Sequence, residues 1–192
     1  TPIKSSAASD VYKRQVQNLD GEILLQIQQH LRTDMLTPLM KFVTFLGNGG
    51  WFWILCAVVL LAIPKTRKTG YAAVLSLIFG VIVTNLLLKN IVARPRPFAE
   101  IEALIPLIAK PTDFSFPSGH TTASFAVALV MLRMLPKKIG IPAVVLAALV
   151  AFSRLYLGVH YPTDVLAGFV VALVGSSLAV WGVRTKLGNI KR

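Results

Sequence analysis

The run Ile139–Val183, "IGIPAVVLAALVAFSRLYLGVHYPTDVLAGFVVALVGSSLAVWGV", holds two long apolar stretches separated by a short polar turn. A bilayer core of about 30 Å is crossed by roughly 20 helical residues. Residues 139–157 and 163–183 each approach that length. Arg154, His160 and Asp164 lie at the junction between them. Ionisable side chains at membrane depth are costly and by default mark function. The hairpin therefore predicts an all-α membrane bundle and also where its chemistry sits.

Working outward, residues 70–88 and 118–135 have the same character. A shorter apolar run begins near Gly49, ends at Pro64 and can borrow residues from Phe42 onward. The expectation is a polytopic helical bundle with five readable transmembrane helices. Upstream, residues 19–41 intersperse Leu19, Ile23, Leu24, Ile27 and Leu31 with Asp20, Glu22, Gln28, Gln29 and Arg32. That helical spacing predicts an N-terminal amphipathic helix lying in the membrane interface, on which His30 is an ordinary interfacial residue. Residues 1–15, "TPIKSSAASDVYKRQ", have neither periodicity nor the apolar segment of a signal peptide. They read as a non-native or disordered leader, and residues 16–192 as one membrane domain.

The chain has 192 residues, 55% apolar and 15% charged, a composition far from that of soluble domains. Its net charge of +12 falls in short clusters between apolar runs, so no nucleic-acid partner is expected. Cys56, the single cysteine, sits in an apolar run and reads as a small buried hydrophobe. Basic clusters at Lys65–Lys68, Arg133–Lys138 and Arg184–Arg192 follow the first, third and fifth spans. Alternating spans place all three on one side, the cytoplasmic one by the bias of basic loops. Residues 89–117 and the turn at 157–162 then lie on the opposite side, together with Lys89, Arg94, Arg96, His120, Arg154, His160 and Asp164.

These residues read as the parts of one phosphate-handling site. Lys89, Arg96 and Arg154 supply positive charge suited to a phosphate dianion, the arginines with bidentate geometry. Ser118 and Gly119 open an apolar helical run whose N-terminus can face an anion, although Ser118 is equally well a plain N-cap. His160 has Asp164 four residues on, across Pro162, the arrangement of a nucleophile with its orienting carboxylate. His120 has no acid nearby in the sequence and is placed to protonate a leaving oxygen. Glu100, Glu102 and Asp113 read as a solvated face, the alternative being an influence on headgroup choice, and not as a metal site. Arg94 reads as an interfacial snorkeller and Asn85 as an interhelical hydrogen-bond partner.

Lys89–Pro97 "KNIVARPRP", Pro117–His120 "PSGH" and Ser153–Asp164 "SRLYLGVHYPTD" resemble the three signature motifs of the type 2 phosphatidic acid phosphatase family. Those motifs are K-x6-R-P, P-S-G-H and S-R-x5-H-x3-D, and every signature position is filled in order within a core spanning 89–164. The resemblance implies a metal-independent phosphatase with an all-helical fold and no cofactor. By the same resemblance His160 is the nucleophile that forms a phosphohistidine, Asp164 its partner and His120 the leaving-group acid. Lys89, Arg96, Ser118, Gly119 and Arg154 hold the phosphoryl oxygens. Membrane members of the family usually have six spans, where five are readable here.

The expected substrate is an amphiphile carrying a phosphomonoester or diphosphate headgroup: phosphatidylglycerophosphate, phosphatidate or undecaprenyl diphosphate. The expected location is a bacterial cytoplasmic membrane with the site on its extracytoplasmic face. No oligomeric state is specified. Two rival functions stay open: a lipid phosphotransferase, and a non-catalytic protein that binds or transports phosphate headgroups. The related motifs of vanadium haloperoxidases belong to soluble proteins, which five apolar spans oppose.

Overall fold

The computed structural model describes residues 3–188, with side chains described from 15 to 186. Among these residues every element of regular secondary structure is a helix. Helix α1 spans Ile3–His30, and α2, Leu36–Gly47, continues through a kink at Asn48–Gly50 into α3, Trp51–Ala62. Helix α4, Arg67–Gly80, runs on through a π-helical stretch, Val81–Leu88, into the short α5, Lys89–Val92. After α6, Pro97–Glu100, an irregular segment leads to α7, Gly119–Met134. Helices α8, Lys137–Tyr156, and α9, Pro162–Gly188, follow.

Helix α7 is the axis of the bundle, packed against α4, α8 and α9. Ala126, Val127, Ala128 and Val130 are wholly buried, as a helix surrounded on every side requires. The surrounding helices turn large apolar side chains outward instead, among them Ile54, Val58, Leu75, Ile78, Val145, Leu149, Leu166 and Val170. Such a surface is stable in lipid and a liability in water.

Four stretches among the described residues are long and apolar enough to cross a membrane: Leu36–Ala62, Arg67–Glu100, Lys137–Tyr156 and Pro162–Lys186. The fifth span expected from the sequence, 118–135, forms the 16-residue α7. The run expected to begin near Gly49 starts earlier, because α2 joins α3 through the kink. The segment 19–41 is not a single helix, since α1 stops at His30 and α2 starts at Leu36. In α1, Asp20, Leu24 and Ile27 are buried together while Leu19 and Ile23 are exposed, so the helix has two apolar faces with different surroundings. The leader expected over residues 1–15 falls, but for Gln15, outside the residues whose side chains are described.

Helix pairs approach through small residues, as membrane bundles commonly do. At the α7–α8 turn a Cβ on Gly140 would lie 2.5 Å from Leu132 Cα and 3.1 Å from the Met131 carbonyl oxygen. Backbone cannot rotate away, so Gly140→Ala is expected to destabilise by about 1–3 kcal/mol. At Gly182 an added Cβ meets nothing within 4 Å. There Ala is expected to be neutral or to stabilise by up to about 1 kcal/mol through helix propensity. Thermal unfolding of both variants in detergent checks the pair, and equal midpoints would contradict the close approach.

Candidate active site

The three polar motifs meet where α5, α7, α8 and α9 begin or end. Ser118 caps α7, its Oγ accepting from the Thr121 N–H at 3.4 Å, and its own N–H donates to the Asp164 carbonyl at 3.0 Å. Arg154 closes α8, His160 lies in the turn, and Asp164 sits in the first turn of α9. Arg96, Ser118, Arg154, His160 and Asp164 are all buried.

Asp164 is the most connected group. Its Oδ1 accepts from Arg94 Nη1 at 2.8 Å, while its Oδ2 accepts from the Ser115 hydroxyl and from the Tyr161 N–H at 2.9 Å. The same Oδ2 lies 3.5 Å from His160 Nδ1, a charge-pair distance rather than a formed hydrogen bond. On the far edge of the ring, His160 Nε2 faces Arg96 Nη1 at 3.3 Å. Burial pushes the His160 imidazole down to about 4; Arg154 and Arg96 push the same way, against Asp164. The ring is thus neutral at physiological pH, with Nε2 as the nitrogen turned toward the cations.

Arg96 Nη1 also donates to the Val159 carbonyl at 2.7 Å, and its Nε and Nη2 reach the Asp113 carbonyl and Oδ1 at 2.8 and 2.6 Å. Lys89 pairs with Asp113 as well. Burial alone would raise the Asp113 carboxyl, but the hydrogen bonds and charges of Lys89 and Arg96 hold it down at about 2. Asp113 is therefore no free solvated residue; its carboxylate sits on two of the cations assigned to phosphate. Arg154 differs. Its Nη1 donates to Thr44 Oγ1 at 2.6 Å, its Nε has no partner, and it forms no ion pair among the described residues. A guanidinium that is 3% exposed and lacks a counter-ion is expensive unless an anion joins it.

A cavity of 620 Å³ opens beside this cluster, lined by Lys89, Asp113, Gly119, His120 and Asn85 and by the glycines of the α2–α3 kink. His120 thus faces the open side and His160 the closed side. The eight residues singled out in the sequence, Lys89, Arg96, Ser118, Gly119, His120, Arg154, His160 and Asp164, converge here. Arg94 is no snorkeller but a partly buried fork, donating to Asp164, to Thr163 Oγ1 at 2.7 Å and to Asp20 Oδ2 at 2.7 Å. Asn85 lines the cavity. Asp20, Ser115, Thr44 and Asn48 escaped the sequence reading. Asp20 alone left a trace, as a carboxylate on the same helical face as Leu24 and Ile27.

A family model described as the PAP2 superfamily matches residues 69–187. An undecaprenyl-diphosphatase of Sulfolobus acidocaldarius is 35% identical over 158 residues, covering 82% of this chain and 74% of that one. A phosphatidylglycerophosphatase B of Bacillus subtilis is 34% identical over 179 residues, covering 87% and 84%. Among solved structures, the transmembrane PAP2-type phosphatidylglycerolphosphate phosphatase from Bacillus subtilis superimposes with a TM-score of 0.72 at 29% identity. It covers 96% of this chain and 92% of its own.

Proposed function

The chain belongs to the PAP2 superfamily and is a membrane lipid phosphatase, and on that premise we propose that it cleaves its substrate through a phosphohistidine on His160. The carrying observation is the pair of buried groups on one side of the cavity. Arg154 is a cation with no ion-pair partner among the described residues, and His160 is a neutral imidazole whose Nε2 faces Arg96. An anion that completes the first is presented to the lone pair of the second.

In the first step the Nε2 lone pair forms a bond to phosphorus. The bond from phosphorus to the leaving oxygen breaks, and that oxygen takes its electron pair and a proton from His120. In the second step water adds to phosphorus, the phosphorus–nitrogen bond returns its electrons to His160, and His120 takes a proton from the water. Lys89, Arg96 and Arg154, with the N–H groups opening α7 at Ser118 and Gly119, carry the equatorial oxygen charge. Asp164 holds the imidazole and stabilises its charge as the bond forms.

The substrate class follows from the setting. The cavity opens among helices whose outer faces are apolar, so a phosphate headgroup enters while its chain stays in lipid. The relatives act on an undecaprenyl diphosphate and on a phosphatidylglycerophosphate, both of this type, and phosphatidate shares it. Basic clusters at the opposite helix ends support an extracytoplasmic site. The test is phosphate release from these three lipids by detergent-purified protein in EDTA, with quenching to trap an acid-labile, alkali-stable phosphoenzyme. Metal-free release through such a species supports the reading. Headgroup binding without release would make the protein a binder or transporter, and phosphate trapped on an added alcohol in preference to water would make it a phosphotransferase.

Asp113 supplies a separate prediction. Its carboxylate stays ionised down to about pH 2, and occupies Lys89 and Arg96 at every working pH. A substrate phosphate must displace it. Asp113→Asn is expected to lower KM, and the inhibition constant of vanadate, by about 3- to 10-fold, a differential of roughly 1 kcal/mol for a half-exposed pair. A raised KM would mean that Asp113 positions the cations instead of competing for them.

A further inference from the structure

His120 is held by a residue far from it in sequence. Its Nε2 lies 2.9 Å from Asn48 Oδ1, across 72 positions, at the kink between α2 and α3. The kink is shaped to bring that amide there. Gly49 and Gly50 have φ of 59° and 70°, left-handed values that glycine adopts without strain. Gly47 presses against the ring itself, for a Cβ there would lie 2.6 Å from His120 Cδ2. Gly47, Gly49 and Gly50 thus line one wall of the cavity, while Gly47 and Asn48 cradle the imidazole.

We propose that Asn48 is a positioning residue that fixes the His120 tautomer, keeping a proton on Nε2 and leaving Nδ1 to exchange protons with the leaving group and water. This rests on His120 being the leaving-group acid. An amide oxygen only accepts, so the ring nitrogen facing it must donate. A neutral imidazole has one donor and one acceptor, so Nδ1 becomes the basic nitrogen. Asn48 thereby does for His120 what Asp164 does for His160, without adding negative charge at the cavity where the phosphate enters. Asparagine suits that place better than aspartate, because a carboxylate there would repel the substrate.

The chain has three histidines, His30, His120 and His160. Imidazole 15N spectra of labelled protein are therefore assigned with His30→Gln and His160→Gln. His120 is expected as the Nε2–H tautomer in the native protein and as an exchanging mixture in Asn48→Ala. An Nδ1–H tautomer in the native protein, or a His120 signal unmoved in Asn48→Ala, overturns the assignment whether or not the protein turns over any lipid.

Kinetics give the second readout. General acids contribute about 10²–10⁴-fold. Asn48→Ala is therefore expected to lower kcat about 10- to 100-fold on phosphatidate, whose alkoxide leaving group needs its proton, with KM within about 3-fold. On a prenyl diphosphate, whose leaving phosphate needs little protonation, the loss is expected to stay under about 3-fold. Asn48→Asp, which keeps the acceptor oxygen, is expected to restore most of kcat and to move the alkaline limb of the pH profile upward. Equal losses on both lipids would reduce Asn48 to a structural residue. Failure of the native protein on both lipids would instead sink the phosphatase reading, while the tautomer measurement still decides the role of Asn48.

Discussion

His160→Gln is expected to abolish phosphate release, by a factor on the order of 10⁴ or more in kcat, while headgroup binding persists. Glutamine is neutral and close to imidazole in length, and its amide N–H₂ can still point at Asp164. The fold should therefore be spared: the residue is 2% exposed, and the native ring is itself neutral, so no buried charge is created or left without its partner. Only the lone pair at Nε2 is lost, the one group at the closed side of the site that faces Arg96 and can form a covalent bond to phosphorus. Three measurements keep the outcomes apart: release in EDTA, the acid-labile phosphoenzyme, and co-sedimentation with phosphatidate vesicles. Loss of the first two with retention of the third is the expected pattern. Turnover that survives the substitution would remove His160 as nucleophile, and binding by both proteins with release from neither would leave the cations without a reaction.

The legible part of this molecule was the part carried by local pattern. Apolar runs point to four of the five expected spanning helices, and charges in the turns between them point to a candidate site, because a charge at membrane depth is too costly to keep without use. The eight expected site residues come together because each stands at a helix end, and helix ends on one side of a bundle are neighbours. Long-range polar pairings were not legible. Asp20 and Arg94 lie 74 positions apart, and Asn48 and His120 lie 72 apart. Nothing in hydropathy or spacing selects one asparagine or one arginine as the partner of a given group. Arg94 was misread because snorkelling and forked pairing are available to the same side chain. Only the fold shows that Asp20 is buried at the right distance. The break at 31–35 was hidden in the same way, since the amphipathic pattern passes through it with Leu31 in phase.

The second large effect is expected at Arg94. Arg94 is the one cation between two buried carboxylates, Asp164 at 0% and Asp20 at 2% exposure, with its guanidinium 3.8 Å from the centre of the Tyr161 ring. Arg94→Ala leaves both carboxylates uncompensated. Breaking such a pair from one side costs about 3–5 kcal/mol, which is a large part of the stability of most domains. Turnover falls as well, because the carboxylate that faces His160 loses the bond that fixes its Oδ1. A loss of kcat on the order of 10²-fold is expected where a catalytic group is held out of line by a lost support. Arg94→Lys keeps the charge, but one ammonium cannot fork to both carboxylates and stack on the ring, so it is expected to recover stability in part and turnover less. The decisive variant is the double one, Arg94→Ala with Asp20→Ala. Removing the second stranded carboxylate is expected to return about 1–2 kcal/mol of the lost stability without returning turnover, since Asp164 still lacks its fork. Thermal unfolding and kcat measured on the same preparations separate the two effects. Stability and turnover recovering together would make the Arg94–Asp20 pair a clamp for α1 alone, and an Arg94→Ala enzyme within twofold of the native kcat would show that Ser115 and the Tyr161 N–H hold Asp164 unaided.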